Sequence, residues 1–162
     1  MSSTTFSGPV TSTNGFVGGV TAAPVAAASS TLVVTAAANS GRTVALNRAA
    51  GIAVTLPAAT GSGAIYRFVL VAAITSNTTT IKVANASDIM SGNAYVLSDG
   101  AAAVLGYTTG ASDDTITLNG STTGGLKGDI IVITDVATNV YHVLANTAAT
   151  GAEATPFSAT VA

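Results

Sequence analysis

Ile52-Ala53-Val54-Thr55-Leu56-Pro57 is the stretch on which the fold turns. Large apolar side chains at 52, 54 and 56 alternate with small or polar ones at 53 and 55. That period of two belongs to a pleated strand with one buried face, not to a helix. Pro57 has no N–H to give to a ladder, so the strand stops there. The same alternation extends outward in both directions. Upstream lie Thr31-Leu32-Val33-Val34-Thr35 and the pair Val44 and Leu46. Downstream, Ile65 to Ala72 is apolar on both faces except at Arg67, which reads as a central strand covered on both sides. Ile81 and Val83, Tyr95-Val96-Leu97 and Val104-Leu105-Gly106-Tyr107 follow. Asp114-Thr115-Ile116-Thr117-Leu118 runs into Asn119-Gly120, a turn signal, and the Gly-rich stretch 119–128 reads as a hairpin connection to Ile130-Ile131-Val132-Ile133-Thr134. Val140 to Leu144 closes the set. Short strands punctuated by Gly and Asn every 8 to 12 residues or so predict an all-β fold, an antiparallel β-sandwich or barrel-like domain.

The Ala clusters 26–28, 36–38 and 101–103 could each form a helical turn, but none carries an apolar stripe. No fixed-period repeat is found, which weighs against a solenoid or a fibre shaft. The alternating region defines a β-domain over 31–145. Residues 146–162 read as a C-terminal tail whose large apolar residues are Phe157 and Val161. Residues 1–30 read as an extended N-terminal arm. Within it Phe6, Val10, Phe16 and Val20 sit apart among Ser, Thr, Gly and Pro, spaced as anchors for a neighbouring subunit. A disordered leader is the competing reading of this segment.

Only 12 of the 162 residues are Asp, Glu, Lys or Arg, about 7%, where soluble domains carry about 25%. A net charge of −2 is too small to steer nucleic acid or an anionic membrane, so neither is expected as a partner. The chain has no cysteine. Mean hydropathy is +0.58, spread through Ala and Val with no continuous run long enough to span a bilayer. Aromatic girdles for a membrane barrel are missing, with four Tyr, four Phe and no Trp. The opening MSSTTFSGPV lacks the basic and apolar regions of a signal peptide. The expectation is a soluble product that folds where it is made.

Candidates for chemistry are few. His142 could pair with Asp135 and a serine as a triad, but no G-x-S-x-G surrounds any Ser, and a strand histidine in a structural role is the better reading. Glu153 lies in the tail, a poor place to hold a glycosidase geometry. Asp113-Asp114 sits at a strand entry, where Asp caps turns. No D-x-D-x-D-G calcium spacing is present. Lys127 follows glycines without the phosphate-loop pattern. The expectation is therefore no catalytic, cofactor-binding or metal-binding residues, and no enzyme. Arg42, Arg48 and Arg67 each call for a partner, either an intrachain Asp or a group across a subunit interface, where planar Arg pairing is favoured.

Four segments together resemble a known family. They are Gly8-Pro9-Val10-Thr11-Ser12-Thr13-Asn14-Gly15-Phe16; Ser40 to Asn47 with Ile52 to Gly61; Ser112 to Gly120 with Thr122 to Asp129; and Ala152-Glu153-Ala154-Thr155-Pro156-Phe157-Ser158-Ala159. The chain is similar to small virion structural proteins of tailed bacteriophages, the head decoration or cement proteins. The resemblance implies a protein made in the host cytoplasm and carried on the outer capsid surface of the virion. There it would bind the major capsid protein lattice, often as a homotrimer, and stabilise the head. It brings no catalytic residues. Phe6, Val10, Phe16, Val20, Arg42, Arg48 and Phe157 are the candidates for capsid or inter-subunit contact. The rival reading is a head-fibre or tail adhesin binding host-surface glycans. Against it, Tyr95, Tyr107 and Tyr141 fall in predicted strands and not on loops.

Overall fold

The computed structural model describes residues 23–100 and 103–161. Its first half is built by alternation between two layers. β1 (Val25–Ala27) is followed by β2 (Thr31–Val33), a single helical turn α1 (Ala36–Asn39), β3 (Thr43–Leu46), β4 (Ala53–Thr55), β5 (Ile65–Leu70) and β6 (Thr79–Lys82). The odd strands pair in parallel in one sheet and the even strands in parallel in the other. The chain from Val25 to Lys82 thus winds as three flattened coils. The expectation against a solenoid does not hold for this half. Val25 pairs with Val44, 19 residues on, and Val44 with Phe68, 24 on. In the other layer the steps are 22, from Leu32 to Val54, and 27, from Val54 to Ile81. Coils of unequal length leave no fixed period to find.

The second half extends both layers sideways. It supplies β7 (Ile89–Leu97), β8 (Val104–Thr108), β9 (Thr115–Leu118), β10 (Ile130–Ala137), β11 (Val140–Ala148) and β12 (Phe157–Ser158). The seven-stranded sheet runs β1-β3-β5-β10-β11-β7-β8 and the five-stranded sheet β12-β9-β6-β4-β2. The fold is an all-β sandwich, and its sheets are mixed: antiparallel pairs join the second half to the first at β5–β10 and β6–β9. The stretch 119–128 is not a hairpin. It carries the chain from β9 in the smaller sheet to β10 in the larger one. Gly120 is needed there, because a Cβ would collide with the carbonyl oxygen of Ile74 and its φ is +77°. Gly51, at a coil turn with φ +75°, is held equally close to the Thr78 carbonyl.

One apolar cluster fills the space between the layers. Tyr66 and Tyr141 meet edge to face in it, with ring centroids 6.5 Å apart. Two sequence expectations change here. β5 is central, but only Tyr66, Phe68 and Leu70 point into the core, while Ile65 and Arg67 are exposed on the other side. The strand is therefore covered on one face by its own chain. The boundaries also shift, because β1 falls inside the segment read as an arm and β11 runs on to Ala148 in the segment read as a tail. Phe157 then packs into the core at 6% exposure. The Ala36–Ala38 cluster does form a helical turn, capped by the Thr35 hydroxyl accepting from Ala38 N at 3.3 Å.

Candidate interaction surface

Five carboxylates and two arginines of this protein bond its own backbone. Asp135 on β10 lies beneath the loop after Pro57. Its carboxylate accepts from Thr60 N (3.0 Å), Gly61 N (2.7 Å), Ser62 N (3.0 Å) and the Ser62 hydroxyl (2.6 Å). Burial pushes this carboxyl up, but the bonds from Ser62, Gly61 and Thr60 outweigh it and hold it down at about 2. Asp88 accepts from Ala59 N (3.0 Å), and the Tyr141 hydroxyl donates to the Pro57 carbonyl (2.8 Å). Three side chains from the second half thereby fix one coil turn of the first.

Asp129 does the same for the crossover, accepting from Gly125 N, Leu126 N and Ala148 N. Burial dominates there and raises its carboxyl despite those three donors. Asp114 accepts from Thr160 N (2.9 Å) and Val161 N (3.0 Å), so the end of the chain is latched to the entry of β9. Burial pushes Asp114 up as well, but these N–H groups and the Thr115 hydroxyl bring its carboxyl below the usual range. Arginine supplies the complement. Arg42 donates to Ala38 O (3.2 Å) and Ala23 O (2.9 Å), and Arg48 to Gly51 O (2.9 Å). The partners these two find are backbone carbonyls in turns, not the carboxylates that sequence reading put first.

With charge spent in this way, the outer face of the seven-stranded sheet is left almost bare of it. Cross-strand register places Ala26, Ala45, Val69, Ile130, Asn146, Tyr95 and Gly106 in one row across all seven strands. The next row runs Thr43, Arg67, Val132, Leu144, Asn93 and Thr108. Arg67 and His142 are the cationic or titratable-cationic groups of this face, and these rows carry no carboxylate. Ile65, Tyr95, Leu97, Val104, Val136 and Leu144 are exposed large apolar residues along it or at its rim. Exposed apolar side chains gathered on one face are the kind of surface that a second surface can cover.

The sequence candidates distribute unevenly over this geometry. Phe6, Val10, Phe16 and Val20 lie outside the described residues. Arg42 and Arg48 sit at coil turns and bond their own chain, and Phe157 is in the core. Asp135 faces the interior while His142 is exposed on the outer face, so the two are not brought together. Among the described residues no three His, Cys, Asp or Glu side chains are grouped as metal ligands, and no helix is long and apolar enough to cross a membrane. Sequence reading missed the outer face because an apolar run looks the same whether its own chain or a partner covers it. Comparison with protein-family models, with curated proteins and with solved structures finds no match.

Proposed function

We propose that this chain is a virion structural protein, a capsid decoration or cement protein of a tailed bacteriophage. It binds the outer surface of the major capsid protein lattice, associates with copies of itself and stabilises the head without catalysing a reaction. The observation that carries the reading is the outer face of the seven-stranded sheet, which is broad, bears one row that is apolar except at Asn146, and is nearly free of charge. A lone domain in water keeps charge on such a face to stay apart from its neighbours. A protein that is covered on assembly has no such need. Repetition over a shell also lets each contact be weak, because many copies act together. The family resemblance supplies the shell as the partner, and the chain's charge-poor composition agrees with it.

The test is a cryo-EM reconstruction of heads assembled without this chain and then mixed with the purified protein. Ordered density for the sandwich outside the capsid floor, at a fixed number of copies per capsid subunit, is the expected result. Binding to host cells with no density on heads would overturn it in favour of the adhesin reading.

A further inference from the structure

Among the described residues the sandwich has four sheet edges, and they are not equally protected. β1 and β2 are three residues long and β12 two, and β1 directly follows Pro24 with no N–H to offer. Edges that short give little for another chain to pair with. β8 is different. It has five residues, Val104-Leu105-Gly106-Tyr107-Thr108, with no proline, no charge and no break in register against β7.

Its orientation follows from the ladder. Thr109 N donates to Gly92 O and Ser98 N to Ala103 O, so the hydrogen-bonded pairs with β7 fall at Leu105 and Tyr107. The N–H and C=O groups of Val104, Gly106 and Thr108 therefore point away from β7, to the open edge. Among the described residues both side-chain faces are also only partly covered, with Tyr107 packed against the core. Val104 is 60% exposed outside and Leu105 37% exposed inside, because seven strands in one layer face only five in the other.

We propose that β8 is a self-association edge, at which two copies of this chain pair their β8 strands antiparallel about a two-fold axis at Gly106. The occupant is argued from charge. Gly100 to Ser112 contains no ionisable acid or base other than Tyr107, so a second copy brings no like charge against the first. Gly106 faces its own copy with no side chain between the strands, and the Tyr95 ring stands beside it, 4.0 Å from where a Cβ would lie. Val104 lies opposite Thr108 of the second copy. Three outward residues on each strand then exchange backbone bonds, and the exposed Val104, Leu105 and Leu97 gain cover. The contact goes beyond the capsid reading and does not depend on it. If subunits also group about a three-fold axis, it links one group to the next.

The experiment is light scattering on the full chain over a concentration series, with the variants Val104→Lys/Thr108→Lys and Gly106→Pro. The double substitution places like charges on facing positions at an exposed edge. The proline removes an N–H that no strand among the described residues uses. Wild type is expected to reach an even number of chains, and each variant to weaken that association about tenfold or more with an unchanged circular dichroism spectrum. If the proline variant misfolds, the lysine variant decides. A wild type that stays at one or three chains throughout, or variants that associate as wild type does, would overturn the proposal. Lysine variants that lose binding to heads while wild type is monomeric would also overturn it, assigning β8 to the shell. Dimers that dissociate in the variants while head binding is absent in all would sink the capsid reading and keep this one.

Discussion

The coil half, residues 25–82, and the half that follows it differ in pairing and in charge. The first pairs its strands in parallel through turns between layers, each strand six residues long or shorter. The second is organised on the β10–β11 hairpin, with strands of eight and nine residues. Through Lys82 the chain carries Arg42, Arg48, Arg67 and Lys82 and no carboxylate; after it come all seven acids and one lysine. Both halves nevertheless use charge in one way. Arg42 and Arg48 close turns by binding carbonyls, and Asp88, Asp129 and Asp135 close turns by accepting N–H groups, which leaves the outer sheet face with little charge beyond Arg67. The traffic is also one-sided, because Asp88, Asp135 and Tyr141 of the second half fix the 57–62 turn of the first. The 57–62 turn of the coils is therefore held from outside.

That dependence can be broken at several points. Phe68 on β5 is fully buried at the seam between the halves. Phe68→Ala is expected to cost about 3–5 kcal/mol in urea unfolding, with both halves lost in a single transition. Separate transitions by two probes would show coils that fold independently. Asp135→Asn comes next, at about 2–3 kcal/mol, since an amide cannot accept on both sides and leaves loop donors unpaired. The sign with pH is fixed by the lowered carboxyl. Its contribution is present above the unfolded carboxyl range, near 3.9 or so, and is lost as pH falls through about 2. An acid titration of stability in wild type and Asp135→Asn should therefore converge at the acid end.

Tyr141→Phe deletes one bond to Pro57 and should cost about 1 kcal/mol, read as a lower urea midpoint. Asp114→Asn, which loosens the end of the chain within the second half, is expected to cost about the same or less and to raise hydrogen exchange at Thr160 and Val161. The smallest effect on folding belongs to the outer face, where Leu144→Ser should change stability by about 0.5 kcal/mol or less.

How much of this was legible in the sequence depends on distance along the chain. Ile52, Val54 and Leu56 announce their strand, because alternation is local. The parallel winding is not local, since the strands it joins are 19 to 27 residues apart at unequal steps. Asp135 illustrates the same limit. Its position two residues after Ile133, on the buried parity of β10, marks it as a carboxylate in need of donors. The donors at 60–62 lie 73 to 75 residues away, and nothing in the pattern names them. The outer face is partly visible in Ile65, Val69 and Val71, whose apolar character in the sequence points equally to burial within the chain.

The claim that this face is the one covered on assembly is tested most directly by a sided pair of variants. Leu144→Asp charges the middle of the outer face, and Val33→Asp charges an exposed site on β2 in the other sheet. Co-sedimentation with heads assembled without this chain should fall about tenfold or more for Leu144→Asp and stay at the wild-type level for Val33→Asp. Undiminished binding by a folded Leu144→Asp protein would contradict the account.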